Sequence, residues 1–284
     1  MIRSRSYAVP LTAVLLALAT GIALGAGPLT DTRSSASTDP GTVSRPAGSG
    51  YADAFAASVA GRLYDHGLSR RPVALVTLPG ADPATVSALA TQVTAAGGQL
   101  TGTYAVQRQL VDAQQKNLVD TLGSQLARQL KGKTDSQAST YPRIGELVAL
   151  AVGNRGSAGA PPGSDAVAVR QSLTAAKLLS VPSGNPQTAP LLLVVLGSPI
   201  DQAIADGLLT GLAARSRAVV AVAPTRDTNL SGLAADGVTK HVMTVDGSET
   251  GAGRIAAVLG LLRAWQAPGG AFGASGADGA VPLG

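Results

Sequence analysis

Apolar and polar positions divide the chain into stretches of different rhythm. No charged residue lies between Arg5 and Asp31, and the twenty residues from Ala8 to Gly27 are almost wholly apolar. At about 1.5 Å per residue, such a run matches the hydrocarbon core of a bilayer, about 30 Å thick. Residues 28–50 are rich in Ser, Thr, Pro and Gly and carry no apolar period, which predicts a flexible linker. Tyr51, Phe55, Val59 and Leu63 then recur every fourth position, one stripe of a short helix ending near His66.

From residue 71 the pattern alternates between continuous apolar runs and helical stripes. Val73 to Leu78 is apolar enough for a strand buried on both faces. Asp82 and Pro83 then supply an N-cap and a first helical residue, Val86, Leu89, Ala90 and Val93 follow at helical spacing, and Gly97-Gly98 closes the helix. A second strand at 99–106 leads to a helix whose stripe is Leu118, Val119, Leu122 and Leu126. Helices are predicted over 144–152 and 166–179, with loops over 153–165 and 180–190. Three further strands are predicted at 191–196, 218–223 and 241–245. A helix carrying Ile200, Ile204, Leu208 and Leu212 separates the first two. Another, capped by Ser248 and carrying Ile255, Val258, Leu259 and Leu262, follows the last.

This order predicts an α/β fold with about five strands in a mostly parallel, doubly wound sheet of flavodoxin or Rossmann type. One N-terminal transmembrane or signal helix precedes it. The corresponding divisions are a transmembrane or signal-anchor segment at 1–27, a linker at 28–50, an α/β domain at 51–267, and a loose Gly-rich tail at 268–284.

Arg3 and Arg5 before the apolar run hold the amino terminus in the cytoplasm and send the domain across the membrane. Ala23-Leu24-Gly25 fits a signal-peptidase site, whereas the length of the run fits an uncleaved anchor. Both readings place the domain outside the cytoplasm, in the cell envelope. The chain has no cysteine, which excludes disulfides, thiolate metal sites and cysteine nucleophiles. Aromatic residues are 3% of the whole, so the core must be built from Ala, Val and Leu. The net charge of +5 comes from scattered residues such as Arg62, Arg70, Arg108, Lys116 and Arg128 rather than a basic run, which argues against nucleic acid as a partner.

Candidate chemistry is sparse. Asp82, Asp201 and Asp246 stand where strands end, the place an α/β enzyme uses for its acids, but Asp82 and Asp201 serve equally well as helix starts. An enzyme would need a deep pocket joining all three. Gly251, Gly253 and Ala256 match a dinucleotide fingerprint on paper but begin inside the helix, and no acidic residue lies about twenty positions on. Small residues that let the helix pack closely are the better account, so no catalytic or cofactor-binding residue is assigned and no enzyme activity is expected. His241 and Met243 alternate on a predicted strand and form a soft pair suited to copper, the two weak candidates for metal ligation.

Several stretches resemble one family, the actinobacterial copper transporters related to mycobacterial copper-transport protein B. They are Met1-Ile2, the run from Leu11 to Ala19, Gly21 to Gly25, Phe55, Val59 and Leu63, the segment from Arg71 to Asp82 with its Pro-Gly-Ala-Asp turn, Thr244 to Asp246 with Thr250, Gly253-Arg254, Val258-Leu259, and Gly270 to Gly273. The resemblance implies an envelope protein tied to copper efflux or homeostasis, with copper as the transported ion rather than a resident cofactor. It also implies a channel role in the outer envelope and a membrane partner governing cell-wall growth and septation. Members carry a longer helical stretch where this chain has its short Ser/Pro-rich linker, which bears on assembly as a homo-oligomer. The readings to be tested are therefore a copper-homeostasis protein, a non-catalytic interaction domain in wall assembly, and an unrecognised envelope enzyme.

Overall fold

In the computed structural model the described residues run from 49 to 283, except 131, 136 and 185. The predicted spanning segment and nearly all of the linker lie outside them. No helix among the described residues is long and apolar enough to cross a membrane.

Two strands of the expected kind lie side by side at the centre, β1 (Pro72–Thr77) and β4 (Leu191–Val195), paired in parallel. β2 (Gln99–Val106) pairs with β1 on one side, and β5 (Ala218–Ala223), β6 (Met243–Asp246) and β7 (Gly270–Phe272) follow β4 on the other, all parallel. A two-residue strand, β3 (Leu179–Ser180), closes the β2 edge in antiparallel sense. The order is β3-β2-β1-β4-β5-β6-β7. Without β3, the parallel strands follow the flavodoxin-like sequence 2-1-3-4-5 extended by one, with the direction of winding reversing between β1 and β4.

The central strands are apolar throughout because alternate side chains enter two separate cores. Ala74, Val76, Leu192, Val194, Val219 and Ala221 face one core, which they share with α4 (Lys116–Gln129), α5 (Thr140–Val152), α6 (Ser164–Ala175), α7 (Gln202–Arg215) and α8 (Thr228–Ala235). Val73, Leu75, Leu193, Val195, Val220 and Val245 face the other, formed with α1 (Ser49–Tyr64), α2 (Pro83–Ala95) and α9 (Gly251–Ala264). A four-residue helix, α3 (Arg108–Val111), links β2 to the turn before α4.

Three expectations are corrected. The sheet has seven strands rather than about five, and β7 lies in the stretch read as a loose tail. There Ala271 and Phe272 are buried and pair with Thr244 and Val245. The predicted helix 166–179 ends at Ala175, and Leu179 turns instead into β3. Thr250, not Ser248, caps α9, accepting from the Gly253 amide at 3.0 Å. The apolar stripe of α1 turns mostly outward. Tyr51 and Phe55, 79% and 59% exposed, face solvent with Leu63, while Ala56, Ala60 and Tyr64 are buried. α1 lies against α9, and small side chains permit that approach where large ones would hold the helices apart.

Candidate functional site

In a doubly wound sheet the ligand crevice opens at the carboxyl ends of the strands where the winding reverses. Here that point lies between the loops after β1 and β4, and it is closed. The Ser198 amide donates to the Pro79 carbonyl at 2.8 Å, and the Leu78 amide to Val195 at 2.9 Å, so the ladder continues past the strands into the loops. Gly80 has φ +83°, and a Cβ there would collide with Ser198; one at Gly197 would collide with Pro79 and Ala81. The two loops therefore clasp backbone to backbone, with glycine on each side because nothing larger fits.

The three acids expected at the strand ends are all engaged. Asp82 caps α2, accepting from the amides of Ala84 (3.3 Å) and Thr85 (3.0 Å) and from the Thr85 hydroxyl (2.7 Å). The Thr85 hydroxyl, then the two amides, hold its carboxyl below the ordinary carboxylate range. Asp201 caps α7 through the amides of Ala203 (2.9 Å) and Ile204 (3.4 Å). Asp246, only 2% exposed, accepts from the Ser275 amide at 3.1 Å and from the Ser275 hydroxyl, tying the polypeptide after β7 to the end of β6. They do not converge. Asp201 borders one surface depression and Asp246 another, and the cleft of about 590 Å³ beside the start of α2, lined by Pro79, Gly80, Gln107 and Arg108, contains neither.

The glycines of the dinucleotide-like pattern serve packing. A Cβ at Gly253 would strike the Gly247 carbonyl, and the Gly251 amide donates to Asp53 Oδ1 on α1 at 2.6 Å. A carboxylate of this chain thus stands at the amino end of α9, where a bound nucleotide would place its phosphates.

His241 and Met243 part company. His241 precedes β6, in the turn that ends the 3₁₀ segment Val238–Lys240, and is exposed. Met243 is completely buried, its sulfur lying against Gly260 of α9. The expectation that both project from one strand face fails because the strand starts two residues later. Among the described residues no group of three or more His, Cys, Asp or Glu side chains is placed to hold a metal ion.

One acidic contact was not legible in the sequence. Asp206 of α7 lies beside Asp236, just past α8, and accepts from Gln202 Nε2 at 2.7 Å. Burial pushes its carboxyl above the ordinary range, and Asp236 and Asp201 push the same way, against the Gln202 hydrogen bond. The two aspartates are thirty residues apart, and only the docking of α8 on α7 unites them.

The fold is a doubly wound α/β domain with a mostly parallel sheet, whose loops after β1 and β4 are joined backbone to backbone at the switch point. The model of the family described as copper transport outer membrane protein, MctB, matches residues 1–282, and the chain belongs to that family. Among curated proteins none matches it. The family's description ties the chain to copper transport in the envelope and agrees with the resemblance read from the sequence.

Proposed function

We propose that this protein acts in copper efflux or homeostasis as a non-catalytic envelope scaffold. An N-terminal single-pass segment anchors it with the amino terminus in the cytoplasm, and the α/β domain works outside. The observation that carries the reading is the clasp between Pro79 and Ser198, which joins the loops after β1 and β4 backbone to backbone at the point where the winding reverses. Asp82, Asp201 and Asp246 support it, each being spent on a helix start or a loop tie. Apart from the two-residue β3, the described strands are parallel, in a sheet with helices on both faces, whereas membrane barrels use antiparallel strands of about ten residues. On this reading copper is cargo for an assembly to which the chain contributes, through an envelope partner or a second copy, rather than an ion held by His241 and Met243.

A deletion strain complemented with full-length variants tests this. Wild type, Asp82→Asn and His241→Gln should all restore growth on copper. A tight stoichiometric copper site in a titration of the purified protein, lost in His241→Gln, would overturn the scaffold reading. A reporter fused after residue 50 and found in the cytosol would overturn the topology.

A further inference from the structure

At the opposite end of the sheet from the clasp lies a cleft of about 520 Å³, bordered by Arg155, Ser216, Arg217, His241 and Pro268 and floored by alanines 213, 214 and 218. We propose that it is a binding site for a phosphate-bearing small molecule, independent of copper. Its lining carries two guanidiniums and an imidazole and no carboxylate. Among the described residues neither Arg155 nor Arg217 has an acidic partner, whereas Arg215 next door is paired with Glu146 at 3.4 Å.

Both arginines are held in place by neutral groups. The Arg217 guanidinium lies 4.1 Å from the centre of the Trp265 ring, and Arg155 donates to the Ala214 carbonyl. Side chains fixed in this way lose little freedom on meeting a ligand, and guanidinium forks match phosphate oxygens in pairs. Ser216 borders the cleft, but its hydroxyl is buried against Gly153 and is no part of the anion site. The carboxyl end of α7 opposes an anion with about half a charge. Arg155 covers one of its carbonyls, and two full charges outweigh the remainder. The size of the cleft suits a phosphorylated metabolite or a lipid phosphate headgroup and exceeds that of the bare ion.

Trp265 is the sole tryptophan of the chain, and its fluorescence reports on the two guanidiniums over its ring, Arg217 at 4.1 Å and Arg71 at 4.9 Å. Full-length protein in detergent would be titrated with inorganic phosphate against sodium chloride of matched ionic strength, and separately with phosphatidylcholine vesicles containing phosphatidate. A saturable change with phosphate that chloride does not produce, weakened at least tenfold in Arg155→Gln and in His241→Gln, is the expected result. Stronger binding to phosphatidate vesicles than to phosphate would identify the lipid as the source of the group. Two variants guard against misfolding of either, and unchanged melting certifies each. No saturable response to phosphate, a response to vesicles alone, or equal responses in wild type and both folded variants would overturn the site.

Discussion

Two aspartates of this chain respond to pH in opposite directions, and the reason is local. Asp82 is exposed and its ionised form is held by a hydroxyl and two helix-start amides, so its carboxyl titrates low. Its contribution to stability is present above the ordinary aspartate range and disappears as the pH falls through the depressed value. Asp206 is driven up by burial and by its acidic neighbours, so it favours the folded state when protonated and counts against it as the pH rises. Asp82→Asn should therefore lower the melting temperature at neutral pH and flatten the loss of stability on acidification. Asp206→Asn should raise the melting temperature near pH 7 and have less effect near pH 4. Thermal melts of the two variants across that interval check both signs. The sequence allowed the cap at Asp82 to be read, because the residue type and the following proline are local signals. It hid Asp206, because nothing local announces that position 236 will lie beside it.

At the scale of elements, α5 and α7 meet unusually closely. Gly145 on α5 and Gly207 and Gly211 on α7 lie where a Cβ would strike, respectively, Leu208, Tyr141 and the Pro142 carbonyl. Replacing Gly211 by Ala forces the pair apart and strains α5 against the sheet, at a cost of about 1–3 kcal/mol as in other overpacked interiors. At about 2–4 °C per kcal/mol, calorimetry should record a loss of several degrees. Gly61 of α1, with open space beside it, should accept the same change without loss. The same scale shows why the central strands were legible and the edges were not. β1, β4 and β5 lie where predicted to within a residue, because strands buried on both faces must be continuously apolar; β2, half exposed, was placed by the Gly97-Gly98 stop before it. β3 and β7 have two and three residues, too few to show a period, and glycines that read as punctuation surround β7. The stripe showed α1 to be a helix but not which side it packs, and large apolar residues usually face the core. Here the demand for close helix contact reversed the choice.

For the molecule as a whole, part of the stretch read as a tail, residues 270–272, belongs to the sheet. Phe272 packs in the core beneath α9, and Ser275 satisfies the buried Asp246. Ending the chain at residue 267 would remove a buried phenylalanine, about 1.5–3 kcal/mol, and leave Asp246 without the Ser275 amide and hydroxyl. Full-length and shortened proteins compared by urea denaturation should differ by at least that amount. The cationic cleft also belongs to this scale. Arg155, Arg217 and His241 come from three separate connections at the amino ends of the strands, and no spacing in the sequence could have joined them.

The clasp also sets a timetable. Loop amides ordinarily trade their hydrogens with heavy water in moments, but those of Leu78, Leu196 and Ser198 point at carbonyls of Val195, Val222 and Pro79. They can be released only when the middle of the sheet parts. Deuterium uptake at these three positions should therefore lag with the strands for hours, while the exposed Arg226, in a turn a few residues from the same edge, labels at once.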